Sequence, residues 1–408
     1  MFNTIKEALS FIESQRVKRS FEDFQNIVDR YHFNVNLKNV IHVAGTNGKG
    51  STVTFIKDLL MTQGYHVGTF TSPYIIKHNE RIAVDGKPIS DLDLLRLINQ
   101  LYPIIEKEHL SMFEIDTLIM LSYFNELDLD YHVIECGIGG LNDKTNVIQS
   151  KIAVITNIGY DHQFMLGNTL LDIACHKAGI IKERVPLFTT EKNQEILTYF
   201  QKVCKEKQST FYHVEIPDSH HYPYPISFKE NDYLLYLPSY QVDNLLLALH
   251  VVSSLIELKR GDIESVIEHF IWPCRFERFG SLYLDGAHNI NGIMALIQTI
   301  KERNLEDVGI VFSSLIDKDG TKMLELLKNY DVMLADFEDE RSQGGHISYQ
   351  EAISIMKEKH KNVVVTGSLH FVSTVRQYVI SALALILLYV DNLKVHQIRP
   401  KVSRQEAT

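Results

Sequence analysis

Short apolar runs that alternate with helical stretches constrain the fold of this chain more than any other feature. Runs rich in β-branched residues occur at 40–43, 67–70, 131–135 and 152–158, and each leads into a polar or glycine-containing loop. A helical pattern at residues 52–63 follows the first run. This order predicts an α/β fold built on a P-loop-type, doubly wound and mostly parallel sheet. Ligands bind such sheets at the carboxyl ends of the strands, so the loops after these runs are the candidate site.

The alternation is interrupted once, which indicates two domains in a chain of 408 residues. Residues 205–240 are rich in Tyr, His and Pro and predict a small antiparallel excursion. The strand pattern resumes after residue 277, with runs at 282–284, 308–312, 332–335 and 363–366. We therefore predict a first domain over residues 1–277, a smaller Rossmann-like α/β domain over 278–376, and a tail over 377–408.

The loop after the first run has the composition of a phosphate-binding loop. It reads HVAGTNGKGST over residues 42–52, with Gly45, Gly48 and Gly50 around Lys49. Glycines allow backbone N–H groups to converge on phosphate oxygens at a helix start, and Lys49 would add a positive charge. The usual signature places Ser or Thr directly after the Lys, whereas Gly50 precedes Ser51 here. The alternative is a plain strand-to-helix turn.

Three further polar residues follow apolar segments and are candidates for chemistry. Glu135 closes a strand, where a buried carboxylate is costly unless it binds a cation or a metal such as Mg²⁺. His162 follows the next run and is a candidate metal ligand if its strand end is adjacent to that of Glu135; otherwise it is a structural histidine. Lys177 lies on an apolar helix, and the alternative for it is a solvent-facing lysine.

Composition excludes several classes of protein. A formal net charge of −10 argues against a nucleic-acid binder, which needs a basic surface. The cysteines are dispersed and form no C-x-x-C pair, which favours a reducing cytoplasm over a disulfide framework or a zinc site; they are Cys136, Cys175, Cys204 and Cys274. The N-terminal 35 residues predict two amphipathic helices rather than a secretory leader.

One apolar segment near the end, residues 378–390, raises the question of a membrane contact. It is shorter than the roughly 20 residues that a membrane-spanning helix needs. We predict a helix that is buried or covered by a partner, and no membrane span.

Taken together, the motifs occur in an ordered set that resembles one family. The set comprises HVAGTNGKGST (42–52), TSP (71–73), NERI (79–82), TNV (145–147), DH (161–162), KAGIIK (177–182), WP (272–273), RFE (275–277), DGAHN (285–289) and TGSL (366–369). Over residues 1–376 the chain resembles the folylpolyglutamate synthase/dihydrofolate synthase branch of the Mur ligases. In that branch TNGKGS, with the inserted Gly, is the ATP loop.

The resemblance implies an ATP-dependent ligase. A pterin or folate carboxylate would take the γ-phosphoryl group of ATP, and the amine of L-glutamate would attack the acyl phosphate to give an amide. Catalysis then rests on positioning and charge neutralisation. The first domain would bind ATP and the second would complete the glutamate ligase site on domain closure. The resemblance also implies a monomer.

The resemblance assigns roles by motif. The ATP phosphates would be held by Thr46, Asn47, Gly48, Lys49, Gly50 and Ser51. Ser72 and Glu135 would ligate one Mg²⁺ and His162 a second. Lys177 would carry a carbamate that turns a cation into an oxygen ligand for the second ion. Asn244, Arg275 and Asp285 would contact the nucleotide, and His288 with Asn289 would help to place the glutamate. A monovalent cation is a further candidate cofactor.

The substrate segments depart from the family pattern. Leu141, Asn142 and Lys144 replace Arg, Leu and Ala in the loop after Glu135, and Cys274 stands where Gly is usual. By resemblance the candidate pterin contacts are Ser111, Met112, Phe113, Glu114, Asn142, Asp143 and Lys144. Two alternatives stay open on this loop: a Mur-type amino-acid ligase with another acceptor, and a nucleotide-binding paralogue without ligase activity.

Overall fold

The predicted alternation folds into two sheets that belong to separate units of the chain. The structure, a computed structural model, describes residues 1–216, 222–270, 272–316, 318–343 and 345–397. The first unit comprises Met1–Trp272 and Asn289–Leu305, and the second comprises Pro273–His288 and the residues from Glu306 onward. The division at residue 277 therefore stays a prediction of functional domains.

The first unit holds eleven of the helices in the described residues. They are α1 (Ile5–Ser14), α2 (Phe21–Arg30), α3 (Lys49–Met61), α4 (Asp91–Glu108), α5 (Met112–Asn125), α6 (Gln163–Leu166), α7 (Leu170–Ala178), α8 (Gln194–Glu206), α9 (Ser239–Ser253), α10 (Arg260–His269) and α11 (Ile290–Glu302). Short 3-10 turns lie at His78–Arg81 and Lys144–Val147. The two predicted N-terminal helices are confirmed as α1 and α2. The predicted helix at 52–63 begins three residues earlier, because Gly48 has a φ of 83° and turns the chain directly into α3.

The strands of the first unit form a mostly parallel sheet. They are β1 (Val40–Ala44), β2 (Val67–Phe70), β3 (Ile82–Val84), β4 (Lys87–Pro88), β5 (Tyr131–Glu135), β6 (Ile152–Ile155), β7 (Leu187–Thr189), β8 (Phe211–His213), β9 (Tyr224–Phe228) and β10 (Asn231–Leu235). The sheet order is β4-β3-β2-β5-β1-β6-β7-β8, and among the described residues only the β2–β3 and β3–β4 pairs are antiparallel. Strands β9 and β10 pair antiparallel by themselves, which confirms the predicted excursion.

Helices cover both faces of this sheet because successive residues of a strand point to opposite faces. On β1, Ile41 and Val43 pack in a core with α3, α9 and α10. Val40 packs in a second core, formed with α1, α2, α4 and α5. The doubly wound fold is confirmed by this arrangement.

The second unit contains a smaller parallel sheet. Its strands are β11 (Arg275–Phe279), β12 (Leu282–Asp285), β13 (Val308–Phe312), β14 (Asp331–Asp336), β15 (Ile347–Ser348) and β16 (Asn362–Thr366). The order is β11-β12-β16-β13-β14-β15, and only β11 is antiparallel. The helices are α12 (Gly320–Leu326), α13 (Tyr349–Lys359) and α14 (Leu369–Gln397).

The predicted tail from residue 377 continues helix α14 as far as Gln397, and residues 398–408 lie outside the described part. The side chains of Tyr378, Ile380 and Leu383 are 45%, 38% and 44% exposed, so the prediction of burial within the chain is wrong for these three. Among the described residues, none of the helices is both long and apolar enough to cross a membrane.

Candidate active site

Three parallel strands bring the predicted site residues to one edge of the first sheet. Strand β1 lies between β5 and β6, with Val43 opposite Glu135 and Ala44 opposite Ile155. Glu135 and His162 were expected on adjacent strand ends, and this expectation is wrong. The strand that carries the glycine loop is inserted between theirs. The loop is therefore flanked on one side by the carboxylate and on the other by the histidine segment.

Backbone donors at the start of α3 form the centre of this edge. The N–H groups of Lys49, Gly50 and Ser51 have no hydrogen-bond acceptor among the described residues. Such N–H groups, together with the helix dipole, bind phosphate oxygens at helix N-termini. The positive φ of Gly48 makes this approach possible, and a Cβ there would collide with the amide of Asn244. Any helix start carries such N–H groups, so they agree with a phosphate loop but do not exclude the alternative of a plain turn.

Polar side chains of the loop are used to shape the loop itself. The hydroxyl of Thr46 donates to the carbonyl of Gly159 at 3.1 Å. Asn47 receives two hydrogen bonds on its carbonyl oxygen, from Thr156 Oγ1 at 2.6 Å and from Asn157 Nδ2 at 3.1 Å. Ser51 Oγ accepts from Gln241 Nε2 at 3.0 Å. The predicted phosphate contacts of Thr46 and Asn47 stay predictions.

The inserted Gly50 has a steric reason in the structure. A Cβ on Gly50 would lie 2.9 Å from Cζ2 of Trp272 and 3.4 Å from Oε2 of Glu135. The first distance is shorter than carbon atoms tolerate, so any side chain would push the loop and the indole apart, whereas the second is an ordinary van der Waals contact. Trp272 belongs to the WP motif, for which the sequence predicts no role. Only the fold places it against the loop.

Glu135, Lys49 and the backbone of Ser72 meet at one corner of the candidate site. Glu135 is buried, its Oε1 lies 3.8 Å from Lys49 Nζ, and its Oε2 accepts from the backbone N–H of Ser72 at 3.3 Å. Carboxylate and hydroxyl oxygens suit Mg²⁺, which is commonly held by one or two carboxylates together with substrate phosphates. The described residues contain no cluster of three His, Cys, Asp or Glu side chains that could bind a metal alone. A divalent ion fits here only with additional oxygen ligands.

Lys177 is buried beneath the loop rather than exposed to solvent. Its Nζ donates to the carbonyl oxygen of Gly45 at 2.8 Å. Burial, and then repulsion by Lys49, lowers the pKa of Lys177 to about 7. The alternative of a solvent-facing lysine is therefore wrong, and a substantial part of the amine is neutral at physiological pH.

His162 and Asn244 occupy different positions around the loop. His162 is in the left-handed region, with a φ of 50°, and its Nε2 lies 3.9 Å from Oδ1 of Asp161. Its role as a metal ligand stays a prediction. Asn244 is buried and donates to Gln241 Oε1 at 3.0 Å, while its Oδ1 accepts from Thr52 at 3.4 Å. Asn244 thus supports the underside of the loop.

Asn289 is a loop contact to which sequence reasoning assigned only a weak role with glutamate. Its Nδ2 donates to Asn47 Oδ1 at 3.1 Å and to Asp161 Oδ2 at 3.2 Å. Its Oδ1 accepts from Gly292 N at 2.8 Å and so caps helix α11. One buried amide therefore connects the glycine loop, the segment before His162 and a helix start.

In the second unit, Arg275, Asp285 and His288 lie around the β11–β12 pair. Arg275 is opposite Asp285 and donates from Nη1 to the carbonyl of Gly286 at 3.2 Å. Asp285 is buried and accepts from Ala287 N at 3.0 Å. His288 Nδ1 lies 2.8 Å from the carbonyl of Gly286, an acceptor, so Nδ1 carries the proton. The roles assigned to all three stay predictions.

Comparison with known proteins identifies the family. Residues 43–252 match the family model of the Mur ligase middle domain. A Bacillus subtilis dihydrofolate synthase/folylpolyglutamate synthase is 32% identical, in an alignment that covers 92% of this chain and 99% of the relative. The chain belongs to the folylpolyglutamate synthase/dihydrofolate synthase family.

Solved structures of the family share the fold over nearly the whole chain. A bifunctional folylpolyglutamate synthase/dihydrofolate synthase from Yersinia pestis, complexed with AMPPNP and Mn, is 25% identical with a TM-score of 0.82. An FPGS in complex with AMPPCP and folate is 27% identical with a TM-score of 0.78. The alignments cover 92% of this chain in both cases, and 98% and 99% of those chains.

Several of the residues predicted as pterin contacts from the family resemblance contact one another in this structure, and their role with a substrate stays a prediction. Lys144 Nζ lies 3.3 Å from Oε1 of Glu114, which is fully buried, and donates at 2.9 Å to the carbonyls of Arg19 and Ser20. Glu114 also caps α5 by accepting from Ser111 N at 2.8 Å. In this chain Lys144 thus fastens the loop to the N-terminal segment.

The remaining residues of these segments differ in burial. Asp143 is buried and accepts from Ile138 N at 2.9 Å and Thr145 N at 3.0 Å, so it holds its own loop together. The ring of Phe113 packs directly under Gly137. Asn142 and Leu141 are exposed. Contact with a substrate stays a prediction for all seven residues: Ser111, Met112, Phe113, Glu114, Asn142, Asp143 and Lys144.

Cys274 occupies its family Gly position at a real conformational cost. It is fully buried with a φ of 59°, the left-handed region that glycine adopts without strain. The backbone at this position therefore keeps the conformation typical of glycine, and the thiol of Cys274 is buried there.

Proposed function

We propose that the protein is an ATP-dependent ligase that adds L-glutamate to the carboxylate of a pterin or folate acid through an acyl phosphate. The observation that carries this proposal is the start of α3, where three N–H groups and Lys49 lie next to the buried carboxylate of Glu135. Family membership supplies the class of reaction, since relatives are named for both folate steps.

The protein's own residues would first bind the nucleotide. The N–H groups of Lys49, Gly50 and Ser51 would hold phosphate oxygens, and Lys49 would neutralise the charge that accumulates on the γ-phosphoryl group. In its present position the Lys49 ammonium lies 3.4 Å from the carbonyl of Thr46, so it is held close to the loop. A divalent cation, bound by Ser72 and Glu135, would supply further neutralisation of the phosphates.

A carbamate on Lys177 forms the second part of the proposal. Only a neutral amine attacks CO₂, and the lowered pKa of about 7 makes that form available. The carbamate would add oxygen ligands on the same side of the loop as Gly45, for a second ion that His162 would also ligate. A monovalent cation requirement is tested by omitting K⁺ from the assay.

The chemical step transfers groups without an external oxidant or reductant. A carboxylate oxygen of the acceptor attacks the γ-phosphorus, and ADP leaves. The amine of glutamate then attacks the acyl carbon, inorganic phosphate leaves, and the amine loses a proton. By family resemblance His288 would help to orient the glutamate, and its Nδ1 lies 2.8 Å from the carbonyl of Gly286.

Phosphate release from MgATP in the presence of L-glutamate tests the proposal. The assay compares dihydropteroate, tetrahydrofolate and no acceptor. We expect release that requires both glutamate and an acceptor, and about a hundredfold loss of kcat/KM in Lys49→Met. Release with dihydropteroate assigns dihydrofolate synthesis, and release with tetrahydrofolate alone assigns only polyglutamylation. Nucleotide binding without phosphate release with either acceptor would contradict the folate reaction. It would favour another acceptor or a paralogue that binds nucleotide without ligase activity.

The proposal also includes the predicted cellular state. We propose a cytoplasmic enzyme that acts as a monomer on small molecules. Light scattering of the purified full chain tests the second point, because the exposed apolar residues Tyr378, Ile380 and Leu383 on α14 are the natural place for self-association.

A further inference from the structure

The loop between β2 and β3 carries Ser72 and is closed on itself by hydrogen bonds. Thr71 N donates to the carbonyl oxygen of Arg81 at 2.9 Å, so the two ends of the loop are joined. The carboxylate of Glu80 accepts from three successive N–H groups, those of Ile75, Ile76 and Lys77. Residues 71–81 therefore form a unit that is stiff internally and that must be held in place from outside.

A chain of buried charges holds this loop against two helices. His78 Nε2 lies 2.7 Å from Oδ1 of Asp116 on α5, and Nδ1 lies 3.1 Å from Oε1 of Glu13 on α1. Arg81 Nε lies 3.5 Å from the second oxygen of Asp116. Tyr74 adds a hydrogen bond to Glu13 at 3.0 Å. These five residues are called the anchor network below.

The anchor network is balanced in charge and mostly removed from water. His78, Arg81 and Asp116 are buried, whereas Glu13 and Tyr74 are partly exposed. Burial by itself lowers the pKa of His78, but Asp116 and Glu13 outweigh it and raise that pKa to about 9. Two cations thus face two carboxylates. Removing one partner leaves an uncompensated buried charge, whereas removing a pair together is often tolerated.

A short path connects the network to the corner at Glu135. Arg81 forms an ion pair with Asp116 at 3.5 Å without a hydrogen bond between the two closest atoms, and the Arg81 carbonyl accepts from Thr71 N. Thr71 immediately precedes Ser72, whose N–H donates to the Glu135 carboxylate. A displacement at Asp116 would therefore reach Glu135 through the Arg81 ion pair, one backbone hydrogen bond and the Ser72–Glu135 hydrogen bond.

We propose that the anchor network is a positioning device for Ser72, in which the His78–Asp116 pair sets where the loop presents that residue to Glu135 and to a divalent cation. The inference rests on the divalent cation of the proposed function. His78 and Asp116 are positioning residues here, since neither touches the corner itself. Their effect is expected on cation binding more than on the chemical step.

The test compares His78→Phe, Asp116→Leu and the double variant with the wild-type protein. The first readout is binding of Mn²⁺ with AMPPNP, followed by electron paramagnetic resonance. The second is the Mg²⁺ concentration for half-maximal activity, with kcat measured separately. We expect each single variant to weaken Mn²⁺ binding at least about fivefold, and the double variant to bind no more weakly than Asp116→Leu alone, because both lack the contact to Arg81.

Controls separate this inference from a loss of stability. His66→Gln removes a second His–Asp pair at the other end of β2, with a distance of 2.8 Å, and should leave Mn²⁺ binding unchanged. If His78→Phe does not fold, Glu13→Gln replaces it in the Mn²⁺ binding test. The Glu13 side chain is 39% exposed, so its substitution should destabilise the fold less. Folded variants that melt at lower temperature but bind Mn²⁺ like wild type overturn the inference.

Three further outcomes are decisive. A double variant whose loss equals the sum of the two single losses means that the two residues act separately, which also overturns the inference. A wild-type protein that binds no Mn²⁺ with AMPPNP overturns the proposed function and this inference together. Wild-type binding combined with unchanged variants overturns the inference alone.

Discussion

The ammonium group of Lys177 donates a hydrogen bond of 2.8 Å to the carbonyl oxygen of Gly45, the first glycine of the phosphate loop. This contact places a basic side chain from α7 directly under the loop, at a position with little access to water. Burial at this position, and then repulsion by Lys49, lowers the pKa of Lys177 to about 7, which makes the amine a candidate for carbamate formation.

The first prediction concerns pH and CO₂. The pKa of Lys177 is lowered to about 7, so the reactive neutral amine predominates above that pH and the inert ammonium below it. Protein depleted of CO₂ should regain activity on addition of bicarbonate at pH 8 and regain much less at pH 6. A ¹³C carbamate resonance after addition of ¹³C-bicarbonate would report the modification directly. Lys177→Ala should lack both the resonance and the recovery.

The second prediction concerns Gly50. Gly50→Ala should lower kcat/KM at least about tenfold, because its Cβ would lie 2.9 Å from the Trp272 ring. Adding Trp272→Ala should restore part of the loss if the indole is the obstacle. Gly261→Ala is the matched control, since nothing lies within 4 Å of a Cβ there. Full activity of Gly50→Ala would contradict the steric reason for the inserted glycine.

The third prediction separates two roles of Asn289. Asn289→Ala should cost about 1 kcal/mol of stability through loss of the helix cap and should raise the KM for ATP about fivefold. Asn289→Asp keeps the cap but places a second carboxylate beside Asp161, so it should stay stable and still raise the KM. Thermal melting and ATP titration are the measurements. A normal KM in the Asp variant would mean that Asn289 only caps α11.

The fourth prediction concerns Lys144 and its ion pair with Glu114. Lys144→Ala should lower the free energy of unfolding by about 1–3 kcal/mol, because it leaves two carbonyl groups and a buried carboxylate with fewer donors. The KM for the folate acceptor should change little. Steady-state kinetics gives the KM, and urea unfolding gives the free energy of unfolding. Lys38→Ala, at an exposed ion pair with Asp128, is the control with little expected effect. A large KM change without a loss of stability would restore the substrate role of Lys144.

Sequence patterns predicted the strands and the loop of the site, but not which residues contact one another there. The runs that became β1, β5 and β6 were recognised because β-branched residues and following glycines are local signals. The neighbours of Lys144 and Glu114 were not foreseen, since these residues are thirty positions apart and meet only when α5 and the following loop pack. For Lys177 the sequence leaves open whether the side chain faces solvent, and the structure shows that it is buried.

The sequence by itself determined the βα alternation, the phosphate loop and the family, because these depend on residues close together in the chain. The tertiary structure decided that β1 separates the strands of Glu135 and His162, and that Asn289 and Trp272 contact the loop. Asn289 binds Asn47 from 242 positions away, and Lys177 binds Gly45 from 132. Contacts over such distances follow from strand order and from the burial of whole faces, which no local pattern specifies.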